Sequence, residues 1–137
     1  MRVQLALNVS DLESAVAFYS AMFGAEPAKR RPGYANFAID SPPLKLVLFE
    51  GAGDPGSINH LGVEVEAAAE VTSAEARLAA AGLRPTEVTD TTCCFTDKTE
   101  TWVAGPDGAR WEWYVKTGDA EQLAPTPTVG TTTCCPG

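Results

Sequence analysis

Two stretches decide how this chain folds: Val3-Gln4-Leu5-Ala6-Leu7-Asn8-Val9 near its start and His60-Leu61-Gly62-Val63-Glu64-Val65 near its middle. Each alternates between larger apolar residues and polar or small ones, the period of two that marks a strand with unlike faces. Setting Gln4 on His60 also sets Leu5 on Leu61, Leu7 on Val63 and Val9 on Val65, a constant offset of 56. A polar side chain therefore stands at the same place on both strands.

The segments after these two strands repeat as well. Ser10 or Asp11 can cap a helix, Glu13 lies in its first turn, and Leu12, Val16, Tyr19 and Phe23 recur at helical spacing until Gly24. Pro27 to Pro32 reads as a basic connection, Tyr34 to Ile39 and Leu44 to Phe49 as strands, and Gly51 to Gly56 as a loop. In the second cycle Val71 to Ala81 is Ala-rich and helical, ending at Gly82. Short strands are expected at Pro85–Val88, Cys93–Thr96 and Thr101–Ala104; Pro106-Asp107-Gly108 is a turn, and Trp111–Val115 the last strand. Strand, helix, then about three strands thus occurs twice, which favours a duplicated module. The expected fold is α+β: two tandem βαβββ modules, residues 1–51 and 58–117, forming a curved mixed sheet around a shared cleft. Residues 118–137 carry Ala-Pro-Thr-Pro-Thr and Thr-Thr-Thr-Cys-Cys-Pro-Gly, and the expectation there is a mobile tail.

Composition narrows the function. The 137 residues are 45% hydrophobic and 20% charged, enough apolar surface for a core without staples. Ten Lys and Arg against 18 Asp and Glu leave a net charge of −8, a field that repels phosphate backbones and anionic membranes. No apolar run is long enough to span a bilayer, and Met1-Arg2-Val3-Gln4 enters the first strand without a secretory pattern. The expected compartment is the cytoplasm, and the four cysteines are expected to be reduced thiols.

His60 is the only histidine, which excludes His-rich zinc sites and any triad needing a second one. A strand histidine satisfied by hydrogen bonds is the plainer reading. Against it, the repeat aims Gln4 and His60 at the same place. Glu112 stands between Trp111 and Trp113 and so faces away from both rings; a carboxylate on a buried strand needs a partner. A rim ion pair is the alternative. In the first module Lys45 occupies the position of Glu112, so three residues remain as candidate metal ligands: Gln4, His60 and Glu112. One imidazole, one carboxylate and one amide oxygen suit a divalent ion such as Fe(II), with positions open to small molecules.

Cys93-Cys94 has neither the spacing of a zinc knuckle nor that of a Cys-x-x-Cys redox motif. Two adjacent thiols can close on one soft atom, and trivalent arsenic is such an atom. Two ordinary thiols at a strand start is the competing reading. Thr91-Thr92 before the pair and Asp97-Lys98-Thr99-Glu100 after it suggest an exposed, movable loop. Cys134 and Cys135 form a second pair, either accessory thiols or incidental. Trp102, Trp111 and Trp113 are read as sheet packing.

These residues carry a family resemblance. VQLALNVSDL (3–12), Phe18-Tyr19 and Phe23-Gly24 resemble the opening of the vicinal oxygen chelate superfamily, which includes glyoxalase I, bleomycin-resistance proteins and extradiol dioxygenases. Within it, AEPAKRRPGYANFAI (25–39), PPLKLVLFEG (42–51), NHLGVEVE (59–66) and TTCC (91–94) resemble the ArsI/CadI group of organoarsenical C–As lyases. Residues 95–100 depart from that group's pattern. The resemblance implies Fe(II)- and O2-dependent cleavage of the carbon–arsenic bond of trivalent organoarsenicals such as methylarsenite, releasing arsenite. It assigns the iron to Gln4, His60 and Glu112, and the arsenic to Cys93 and Cys94. The implied partner is that small molecule, met by a monomer or homodimer. Two other functions fit the same residues: thiol-based sequestration of arsenite or cadmium without catalysis, and an extradiol-type dioxygenase.

Overall fold

The computed structural model describes residues 1–93 and 95–119. The described residues divide into two compact units, the first ending at Gly62 and the second starting at Val63. The first contains β1 (Arg2–Val9), α1 (Leu12–Phe23), β2 (Lys29–Arg31), β3 (Tyr34–Ile39), β4 (Leu44–Glu50) and most of β5 (Ile58–Glu64). The second takes the end of β5, then α2 (Ala68–Ala80), β6 (Thr89–Cys93), β7 (Thr96–Ala104) and β8 (Arg110–Asp119). The order strand, helix, three strands is present twice, so the chain is two tandem βαβββ modules.

In the first unit the strands lie in the order β2-β3-β4-β1-β5. β1 runs parallel to β4 with Gln4 opposite Lys45, and β3 runs antiparallel to β4. Asp11 caps α1 by accepting the Glu13 N–H at 3.2 Å, and the Glu50 carboxylate accepts the Leu12 N–H at 2.6 Å. Gly24 ends the helix at φ +63, a conformation that costs glycine little and other residues more. Leu12 and Val16 pack on Ala35, Phe37, Ile39, Leu46 and Leu48, each large side chain contributing roughly 1.5–3 kcal/mol by leaving water. β1 therefore has two covered faces: Leu5, Leu7 and Val9 pack on this core, while Gln4, Ala6 and Asn8 are buried on the other side. The segment read as a basic connection contains edge strand β2, and its Arg30 pairs with Glu13.

In the second unit the order is β8-β7-β6, all antiparallel. Helix α2 starts three residues before the expected Val71, because the Glu70 carboxylate accepts the N–H groups of Glu66 and Ala67, both at 2.9 Å. Ala67 itself offers no capping side chain. Val65, Val71 and Val115 form this unit's apolar centre, with Val63, Val88 and Trp113 against them.

The strands of the second unit differ most from expectation. β6 occupies Thr89–Cys93 rather than Pro85–Val88, and β7 is one long strand that includes Asp97-Lys98-Thr99-Glu100. That polar stretch is not an exposed loop: Lys98, Thr99 and Glu100 are all buried. Side-chain partners from neighbouring segments replace water along this strand. Thr92 Oγ1 donates to Asp97 and Thr99 Oγ1 to Asp90, both at 2.5 Å, and Thr101 Oγ1 donates to the Thr86 carbonyl at 2.7 Å. Among the described residues no helix is long and apolar enough to cross a membrane.

Candidate metal and thiol sites

In the first unit β1 and β5 bring Gln4 and His60 together. Gln4 Nε2 lies 3.1 Å from His60 Nε2, and both side chains are buried. The other ring nitrogen, Nδ1, lies 2.8 Å from Asn59 Oδ1, and Phe49 sits beside the ring at 6.1 Å between centroids. An amide oxygen can only accept, so Nδ1 holds the ring's proton and Nε2 keeps a lone pair. The Gln4 amide N–H donates to that lone pair. Metal-ligating imidazoles are held in this way at the distal nitrogen, which donates to an oxygen and so keeps the proximal lone pair available for a metal. A half-turn of the Gln4 amide about its terminal bond puts Oε1 where Nε2 stands. The chemistry of the donors therefore fits a divalent ion.

In the second unit Glu112 on β8 is 1% exposed, and Lys98 on β7 donates to its Oε2 at 2.7 Å. Lys98 Nζ is also 3.2 Å from Glu100 Oε2, an ion pair without hydrogen-bond geometry, so that oxygen makes no hydrogen bond. The ammonium lies 5.2 Å from the centre of the Tyr114 ring and 5.9 Å from that of Trp102, within cation–π range. Burial alone would lower the Lys98 pKa, but Glu112 and Glu100 more than offset it and hold the pKa above its ordinary value. Glu100 goes the other way. Burial, assisted by the charge of Glu112 and only partly opposed by Lys98, pushes its carboxyl up to about 7. Glu112 is thus a buried carboxylate balanced by an internal cation, not a rim ion pair.

Cys93 ends β6 and is completely buried. It is not the reduced thiol that the expected compartment implied: its sulfur is in a disulfide. The three other cysteines, Cys94, Cys134 and Cys135, all lie outside the described residues, as does the expected 118–137 tail from residue 120 onward; its first two residues, Gly118 and Asp119, instead end β8. Oxidation leaves Cys93 no thiolate, so it must be reduced before it can bind a soft ion. Phe95, itself buried, has φ +60, unusual for a residue with a side chain. Among the described residues no group of three or more His, Cys, Asp or Glu side chains is placed to hold a metal ion. Trp102 takes Arg110 over its ring at 4.5 Å and Trp113 takes Arg77 at 5.6 Å, which accords with their reading as sheet residues.

Sequence reasoning missed Lys98, Glu100 and Asn59. Lys98, Glu100 and Trp102 do recur at a period of two, but a charged alternation reads equally well as a solvated face.

The Glyoxalase/Bleomycin resistance protein/Dioxygenase superfamily model matches residues 2–113. The chain belongs to that superfamily. It is 57% identical over 124 residues to the trivalent organoarsenical cleaving enzyme of Thermomonospora curvata, covering 90% of this chain and 82% of that one. It is 53% identical over 142 residues to the cadmium-induced protein CadI of Mycobacterium tuberculosis, covering 99% and 93%. Among solved structures, the Mn(II)-bound glyoxalase of Novosphingobium aromaticivorans superposes with a TM-score of 0.62 at 21% identity, over 88% of this chain and 41% of that one. That likeness shows the fold of this superfamily, one of whose members holds a divalent metal.

Proposed function

We propose that this protein cleaves the carbon–arsenic bond of trivalent organoarsenicals such as methylarsenite, releasing arsenite, with Fe(II) as cofactor and O2 as co-substrate. The observation that carries the reading is the 57% identity to an organoarsenical cleaving enzyme over 90% of the chain. The lone-pair-bearing imidazole of His60 beside the Gln4 amide supports it chemically.

The iron ligands we assign are Gln4, His60 and Glu112. The metal, when bound, supplies one-electron chemistry with O2 that no side chain of this chain can perform. The protein's own part is positional. Asn59 orients the imidazole, and Lys98 supplies the cation that faces the buried Glu112 carboxylate. Cys93 and Cys94, once reduced, are assigned to the arsenic. Holding both reactants on one protein makes their encounter effectively unimolecular.

The test is direct. Protein reduced with a phosphine, loaded anaerobically with Fe(II) and given methylarsenite and then O2, should release arsenite over many turnovers. Stoichiometric arsenical binding without turnover would replace this reading with sequestration. Turnover of a catechol but not of methylarsenite would replace it with ring cleavage. Cys93→Ser should abolish arsenical turnover while Fe(II) binding persists, and His60→Ala should abolish Fe(II) binding and turnover while stoichiometric arsenical binding persists.

A further inference from the structure

The loop between β4 and β5 does more than connect the strands. Four polar groups run from it to His60. Ser57 Oγ donates to the Asp54 carbonyl at 2.5 Å, Asn8 Nδ2 donates to Ser57 Oγ at 2.9 Å, Asn59 Nδ2 donates to Asn8 Oδ1 at 3.0 Å, and Asn59 Oδ1 faces His60 Nδ1 at 2.8 Å. The series has only one possible direction, because it ends on a backbone carbonyl, which cannot donate. That carbonyl takes the single hydroxyl hydrogen of Ser57. Ser57 must then accept from Asn8, which turns the Asn8 oxygen toward Asn59. The Asn59 nitrogen must face Asn8, so its oxygen is left for the histidine.

We infer that Asp54, Ser57, Asn8 and Asn59 form a directional relay that sets the tautomer of His60, placing its proton on Nδ1 and its lone pair on Nε2. Neutral imidazole in water prefers the opposite tautomer, so the relay matters only if Nε2 has a task. Asn59 and Asn8 are positioning residues: they act on the metal through His60 and touch neither metal nor substrate.

Backbone geometry supports the same device. Asn8 N–H donates to the Ser57 carbonyl at 2.9 Å, and Gly56 N–H donates to the Asn8 carbonyl at 2.8 Å, clamping the loop to β1. A Cβ added at Gly53 would sit 2.7 Å from Asn8 Nδ2, closer than packed atoms come. Gly53 is therefore the residue that lets the loop lie over Asn8.

The metal half of this inference rests on the iron reading; the tautomer half does not. His60 being the only histidine, the imidazole nitrogens of 15N-labelled protein give a single spin system. In metal-free wild type at alkaline pH, Nδ1 should show the shift of a protonated ring nitrogen and Nε2 that of an unprotonated one. Asn59→Ala should move the proton to Nε2 and weaken Co(II) binding, read from its visible absorption, by about 10–100-fold. Asn59→Asp keeps an acceptor at the ring and should restore both the tautomer and Co(II) affinity to within a few-fold. Gly53→Ala, which removes no hydrogen-bonding group, should shift the tautomer toward Nε2–H by displacing Asn8.

A wild-type ring protonated at Nε2 overturns the relay without any variant being needed. So does an Asn59→Ala protein with unchanged ring shifts. A wild type with the expected tautomer that binds neither Co(II) nor Fe(II) upholds the relay and overturns the iron reading.

Discussion

Glu100→Gln should make this protein more stable at pH 8, although it removes a charge that faces a lysine. The Glu100 carboxyl has its pKa pushed up to about 7 from an ordinary 4.5 by burial and by the neighbouring charge of Glu112. Between those two values the native state holds a proton that the unfolded chain has released. A state that binds more protons loses ground as pH rises, so the contribution of Glu100 is complete below about pH 4.5 and gone above about pH 7. The difference between 7 and 4.5 is 2.5 pKa steps, and at about 1.4 kcal/mol each this amounts to roughly 3 kcal/mol. Glutamine stays neutral throughout, so the variant avoids this loss. Urea unfolding of the metal-free protein, followed by circular dichroism, measures it. With a slope of about 1.5–2 kcal/mol per molar urea, the variant's midpoint at pH 8 should exceed that of wild type by about 1.5–2 M. At pH 5 the two midpoints should nearly coincide. A variant that differs from wild type by the same amount at both pH values, or is less stable at pH 8, refutes the reasoning.

Lys98→Met should cost about 3–5 kcal/mol at pH 8, because it strands the buried carboxylates of Glu112 and Glu100; urea unfolding at pH 5 should show a smaller loss, since unpaired buried carboxyls take up protons. Asp11→Ala removes the acceptor that caps α1 and should lower stability by about 1 kcal/mol without altering Co(II) affinity. Removing the metal with a chelator should leave the far-ultraviolet circular dichroism unchanged, since the apolar centres around Phe37 and Val71 are built without it.

Some of this molecule is legible in the sequence because it is local. Alternation marks β1 and β5, helical spacing with Asp11 and Gly24 marks α1, and the constant offset between Gln4 and His60 reveals the repeat. Each depends on residues close along the chain, or on copying of one module, and needs no knowledge of what lies across a sheet.

The remainder depends on partners that are distant in sequence. Asp97-Lys98-Thr99-Glu100 is a strand only because Glu112, Asp90 and Thr92 meet it from neighbouring strands. Without them the same four residues would stay in water. The tautomer of His60 is likewise decided by Asn8 and Ser57, which lie far from each other along the chain and meet only when the loop folds over β1. Four reduced thiols are expected from the sequence, whereas the Cys93 sulfur is in a disulfide. For the polar strand and the histidine the physical reason is the same. A polar group's state is set by whichever donors and acceptors replace its water, and only the tertiary structure brings those groups together.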